Sequence, residues 1–158
     1  MGEERVGALI VFERKISLEQ IVKTGTRVDA EISQELIRNI FFPKASLHDG
    51  AMLLKNGRIE AAGCVLPLSE NRQLSTDLGT RHRAGVGMSE QSDAVVIIVS
   101  EETGVISAAI GGMLKRDLTA DTLEKILRRE LLTQTEGKPS LLKRIRLGKK
   151  ERDDDAES

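Results

Sequence analysis

Residues 94–99 read Ala-Val-Val-Ile-Ile-Val, six apolar positions with no polar alternate, and residues 7–12 (Gly-Ala-Leu-Ile-Val-Phe) repeat the pattern. Such runs are too short for a buried helix and rich in β-branched residues. They read as strands covered on both faces, which puts helices on two sides of a sheet. The chain has no Trp, no Tyr and only three Phe, so its core must be aliphatic. The aromatic platforms on which single-stranded nucleic acid stacks are missing as well. A chain of 158 residues has the length of one domain and can bury about two thirds of its unfolded surface.

Between these runs the helix and turn signals are clear. Ser17-Leu18-Glu19-Gln20 has capping-box spacing and predicts a short helix that Gly25 can stop. Residues 26–30 suit a small strand. Leu36, Ile37, Ile40 and Phe41 follow helical spacing after Ser33, and Pro43 ends that helix. Two apolar runs, 51–54 and 59–66, flank Asn56-Gly57, a strong short-range signal for a β-hairpin. Pro67 closes the second run, and residues 69–78 read as loop. A helix over 80–90, capped by Thr80, must tolerate Gly85 and Gly87, each costing about 1 kcal/mol relative to Ala. Residues 100–104 form a turn, 105–110 a returning strand, and Gly111-Gly112 breaks it. Thr119 then caps a last helix whose inner stripe is Leu123, Ile126, Leu127 and Leu131.

The expected fold class is α/β with α+β character: a single domain whose central mixed β-sheet is flanked by helices on both faces. Residues 1–136 would form it, and 137–158, first basic and then acidic, would be a solvated, poorly ordered tail. Lys plus Arg number 24 against 25 Asp plus Glu, which predicts no strong non-specific attraction to DNA or to an anionic membrane. Cys64 has no internal disulfide partner, and its apolar neighbours predict a buried thiol in a reducing compartment. The longest uncharged run, 103–114, is too short to span a bilayer. No signal peptide is visible. The first strand begins by Gly7, an abrupt start that would suit a domain cut from something longer.

Three stretches carry chemistry. In Ser46-Leu47-His48-Asp49-Gly50-Ala51 an imidazole, a carboxylate and a glycine stand at a strand entrance, a stiff place to hold a reactive group; the alternative is a plain Asp-Gly turn. In Gly79-Thr80-Arg81-His82-Arg83 two arginines and a histidine sit where a helix N-terminus already carries about half a positive charge. That arrangement is electrostatically poor unless an anion sits among them, so it describes a phosphate site or else an exposed basic turn. The carboxylates of Asp49 and Glu102 at strand ends, with His48, could hold a divalent metal; a solvated turn is the other reading of Glu101 and Glu102. No Gly-x-x-x-x-Gly-Lys-[Ser/Thr], Gly-x-Gly-x-x-Gly, Cys-x-x-Cys or His-Glu-x-x-His occurs, so any nucleotide site is of another kind.

Taken together, these stretches make the chain resemble the bacterial diadenylate cyclase catalytic domain over about residues 7–132. That family is marked by Asp-Gly-Ala and Arg-His-Arg motifs about 30 residues apart, as here. The opening Gly-Ala-Leu-Ile-Val-Phe-Glu and the Leu-Pro-Leu-Ser at 66–69 are most similar to the membrane-anchored subtype. The resemblance implies condensation of two ATP molecules into cyclic di-AMP and two pyrophosphates, with Mn²⁺ or Mg²⁺, across a face-to-face homodimer. The full-length protein would sit at the inner face of the cell membrane, anchored by a missing N-terminal segment. Catalysis would fall to Asp49, Arg81, His82 and Arg83, and metal binding to Asp49, His48 and Glu102. Gly50, Ala51, Leu66, Gly79, Thr80, Arg81, Arg83, Ser100 and Glu102 would bind the nucleotide, Leu66 at the adenine. Val65 stands where relatives often carry a Tyr, so an aromatic contact is lost there. Two readings from other classes are a nucleotide-binding regulatory module without chemistry and a scaffold that uses the basic tail.

Overall fold

The structure, a computed structural model, describes residues 6–132; the charged tail expected from 137–158 lies outside the described residues. Seven strands form one mixed sheet in the order β2-β4-β3-β1-β5-β6-β7. The two strongest apolar runs are its central neighbours: β1 (Ala8–Phe12) and β5 (Val95–Val99) pair antiparallel, Ile10 opposite Ile97. On its other side β1 pairs in parallel with β3 (Ala51–Lys55), which turns back through Asn56-Gly57 into β4 (Arg58–Cys64). Both turn residues have positive φ, 51° and 80°, as this hairpin requires. The strand at the β4 edge is β2 (Thr26–Glu31), and β6 (Ile106–Ile110) continues the sheet beyond β5.

Alternate residues of the central strands feed two cores. Leu9, Val11, Val96 and Ile98 face helices α1 (Glu19–Val22) and α3 (Thr80–Gln91), meeting Val22, Val86 and Met88. Phe12, Met52, Val95 and Ile97 face α2 (Gln34–Ile40) and α4 (Ala120–Leu127), meeting Phe41, Leu123 and Leu131. Helices therefore cover both faces, as the uninterrupted apolar runs demand. Ser33 and Thr119 cap their helices by accepting the N–H groups of Leu36 and Thr122, each at 3.1 Å. After α4 the chain widens into a π-helical turn over Arg128–Leu132, where Arg14 donates to Glu130 at 3.2 Å.

Four details differ from the sequence reading. The helix expected at Ser17 begins at Glu19, because Leu18 is buried in the core and occupies the cap position; Ser17 only accepts the Glu19 N–H, at 3.3 Å. Thr80 is the first residue of α3 rather than its cap, which is Gly79. Pairing of β4 stops at Cys64 rather than Leu66, since Gly63 is left-handed (φ 69°) and bends the chain. Gly111-Gly112, both at positive φ, do not merely end β6: they turn it into a seventh strand, β7 (Met113–Leu118), too polar to be read from its residues.

The glycines of α3 explain how a helix of low intrinsic propensity lies here. It is buried along most of its length, pressed between β5 and the 65–69 segment. A Cβ at Gly85 would come within 2.8 Å of the Ile98 side chain, whereas one at Gly87 would collide with the Pro67 carbonyl. Ser69 N–H donates to the Arg83 carbonyl at 2.9 Å and locks the segment against the helix. Gly87→Ala should therefore destabilise the fold by about 1–3 kcal/mol in urea unfolding, despite better helix propensity. Gly85→Ala should cost less, because the Ile98 side chain can yield; equal stability of the Gly87 variant and wild type would contradict this packing.

Candidate active site

A cleft of about 910 Å³ opens where four segments meet: the entrance to β3, the start of α3, the β5–β6 turn and the 63–79 segment. It lies beside the first residues of the parallel pair β1 and β3, with Leu9 in its wall. Of the residues singled out from sequence, Asp49, Gly50, Leu66, Gly79, Thr80, Arg81, His82, Ser100 and Glu102 line it. His48, Ala51 and Arg83 do not: Ala51 is fully buried under the cleft floor, and the Arg83 carbonyl fastens Ser69.

Gly50 is a close crossing. A Cβ there would run into the Gly63 backbone, so the two glycines let β3 and β4 meet at the mouth of the cleft. Asp49 consequently projects outward, with 82% of its side chain exposed. His48 lies alongside it, with Nε2 3.3 Å from Asp49 Oδ1 and Nδ1 2.7 Å from the Ala45 carbonyl. A carbonyl only accepts, so Nδ1 carries a hydrogen. In the neutral ring Nε2 is then an acceptor facing an acceptor, and a proton or a cation between them would reconcile the pair.

Arg81 joins the three motifs. Its guanidinium pairs with Glu101 through Nη1 and with Asp49 Oδ1 through Nη2 at 3.7 Å, and its side chain is only 17% exposed. Its Nε is buried without a hydrogen-bond partner. Room for it is made by Gly7, where a Cβ would lie 2.7 Å from the guanidinium carbon. The anions that a basic helix start calls for are thus supplied partly by the protein itself. The turn bearing Glu101 and Glu102 is fixed by Ser100, whose hydroxyl accepts the N–H groups of Glu102 and Thr103, each at 3.2 Å.

His82 is buried behind Arg81. Burial, then the charge of Arg116, hold its pKa below the ordinary imidazole value; Asp77 pulls the other way, and Arg81 adds the smallest downward push. Asp77 and Arg116 are cleft residues that nothing in the sequence signalled; they pair at 3.5 Å across the rim. The opposite wall is apolar: Leu66 and Leu78 are buried, and Val65 and Leu68 are more than half exposed. Cys64 lies beneath them, its thiol pKa pushed up to about 11 by burial, which makes it an inert core group.

Among the described residues no three His, Cys, Asp or Glu side chains converge, so Glu102 does not complete a protein-only cage with His48 and Asp49. The donors present still fit Mg²⁺ or Mn²⁺, which take one or two carboxylates together with phosphate oxygens and water. Asp49 offers an exposed carboxylate, and His48 aims its Nε2 at the same point.

The family model described as "DAC: DisA bacterial checkpoint controller nucleotide-binding" matches residues 1–114. The chain is 46% identical over 151 residues to a diadenylate cyclase of Listeria monocytogenes, covering 96% of this chain and 55% of that protein. It spans about half the length of the curated relatives it matches. A crystal structure of a double mutant of DacA from Staphylococcus aureus superimposes with TM-score 0.81 at 48% identity, covering 82% of this chain and 87% of that one. A crystal structure titled as a hypothetical membrane spanning protein from Bacillus cereus gives TM-score 0.72 at 45% identity, over 75% and 58%. Among the described residues no helix is long and apolar enough to cross a membrane.

The depressed pKa of His82 has a consequence for stability. The unfolded chain titrates near the ordinary value of about 6.5, and the folded one below it. Between the two the unfolded state binds more protons, so stability is retained above about pH 6.5 and is lost as pH falls through that window. Unfolding free energies measured from pH 7.5 to 5 should fall for wild type and fall less for His82→Gln. Parallel curves would contradict a buried, neutral imidazole.

Proposed function

The chain belongs to the DAC family of nucleotide-binding domains, and on that premise we propose that it is a diadenylate cyclase, condensing two ATP molecules into cyclic di-AMP with release of two pyrophosphates. The observation that carries this reading is the convergence of three separate sequence motifs on one cleft. Its volume of about 910 Å³ is ample for a nucleotide, and the helix start that lines it, Gly79 and Thr80, offers a place for one triphosphate. A reaction between two nucleotides then needs a second cleft, supplied by a second copy of the chain facing the first.

Each cleft would take the base against Leu66, Val65 and Leu68 and the phosphates toward Gly79 and Thr80 at the start of α3, where backbone N–H groups are free to bind anions. Asp49, at the open edge, would meet the 3′-hydroxyl. The 3′ oxygen of one nucleotide bonds to the α-phosphorus of the other, the bond from that phosphorus to the β-phosphate bridging oxygen breaks, and pyrophosphate leaves. The hydroxyl proton passes to the Asp49 carboxylate, and the same exchange in the opposite sense closes the ring. Arg81 holds that carboxylate in position, and its charge steadies the negative transition state. A divalent ion bound at Asp49 and His48 would supply further neutralisation of phosphate charge. The whole protein would present this domain at the inner face of the cell membrane; the match to a structure titled as a hypothetical membrane spanning protein supports that reading.

Incubation with ATP and Mn²⁺ or Mg²⁺ should yield cyclic di-AMP, identified by mass. Asp49→Asn should lose at least about 100-fold in rate, as expected for a proton-accepting group. Its melting temperature should not change, because the side chain is exposed. Near-normal turnover in that variant would contradict the role given to Asp49.

A further inference from the structure

The cleft is lined by four carboxylates, Asp49, Asp77, Glu101 and Glu102, and by two guanidinium groups, Arg81 and Arg116. Arg81 is already divided between Asp49 and Glu101 and is wedged beneath Gly7. It holds the site together, and two carboxylates already offset its charge before a ligand bearing several negative charges arrives. Arg116 is different. Its ion-pair partner among the described residues is Asp77, at 3.5 Å, with both side chains about half exposed or more.

The backbone aims Arg116 at the cleft. Lys115 pairs with Ala108 and Leu118 with Ile106, so β7 holds one extra residue against β6 between these pairs. Asp117 absorbs it in the left-handed region, at φ 62°. Before the bulge Leu114 packs on the α3 face; after it Leu118 packs on the opposite face. A regular strand would have put residues 114, 116 and 118 on one face. The bulge lets Leu118 enter the far core while Arg116 stays on the α3 side and reaches the cleft, where its charge is felt by buried His82. Bulges recur next to binding sites for this purpose.

We propose that Arg116 binds the nucleotide's phosphates, exchanging Asp77 for a phosphate oxygen when the nucleotide enters. An exposed ion pair such as Arg116–Asp77 holds weakly, whereas guanidinium–phosphate hydrogen bonds are short and two-pronged. Asp77 is not orphaned by the exchange, because Ser75 donates to its other carboxylate oxygen. Asp77 stands where a phosphate would bind, and its own charge selects for polyanions that can displace it.

The inference rests on the nucleotide reading of the cleft, so binding rather than turnover tests it. The full chain and its Arg116→Ala, Arg116→Lys and Asp77→Asn variants are titrated calorimetrically with ATP in the presence of Mg²⁺. Arg116→Ala should weaken ATP binding by about tenfold or more, as for loss of a charged hydrogen bond. Arg116→Lys should recover part of that loss, and Asp77→Asn should bind ATP as tightly as wild type or more so. Unchanged affinity in Arg116→Ala overturns the proposal while leaving the nucleotide reading intact. Equal losses in Arg116→Ala and Asp77→Asn overturn it too, since the pair would then act only by tying loop to strand. A wild-type chain that binds no ATP overturns both.

Discussion

The site depends on one partly buried cation. Arg81 stands at the first turn of α3, where the helix dipole already disfavours positive charge, and only 17% of its side chain reaches solvent. It is held there by Asp49 and Glu101, residues from either side of it in sequence, and by the space that Gly7 leaves. Either exposed carboxylate alone still pairs with the guanidinium; removing both would strand its charge and cost much more than the pairs contribute. The three segments are therefore fixed relative to one another by a single guanidinium, and Asp49 inherits a defined position even though its own side chain is largely in solvent.

What surrounds Arg81 follows from the need to bring α3 down onto the sheet. Gly85 and Gly87 point to opposite sides of the helix, one toward Ile98 and one toward Pro67. Without them the helix would stand off from both layers and the cleft would lose its floor and its rim together. The cost in helix propensity is met by burial on both sides. The proposed reaction would demand little covalent participation from the protein: phosphoryl-type transfer responds to positioning and charge neutralisation. On the proposed reading, one acidic edge, one helix start and one apolar wall would supply these for a single nucleotide.

Much of this architecture is legible in the residues. The apolar runs of β1 and β5 announce a sheet covered on both faces, Asn56-Gly57 announces its hairpin, and Ser33 and Thr119 mark two helix starts. The edge strand β7 is not legible, because an exposed edge carries the polar residues of a loop and its pairing partner β6 alone defines it. The same reasoning separates the site residues. Asp49, Arg81 and Glu102 fall in unusual local patterns, whereas Asp77 is one acid in a polar loop and Arg116 one base in an unrecognised strand. Their meeting is purely tertiary. The arginines of the Arg-His-Arg motif look equivalent in sequence, yet only Arg81 lines the cleft, because successive helical residues point about 100° apart.

On the proposed reading, a cleft that takes one nucleotide, with Asp49 at its open edge, would be half of a two-nucleotide site. The most direct measurement is the rate of cyclic di-AMP formation per molecule across a protein dilution series at saturating ATP and Mn²⁺. If two chains must face each other, the rate per molecule will rise with protein concentration and level off as pairing saturates. A rate per molecule that stays constant down to concentrations where sedimentation shows only monomer would contradict it.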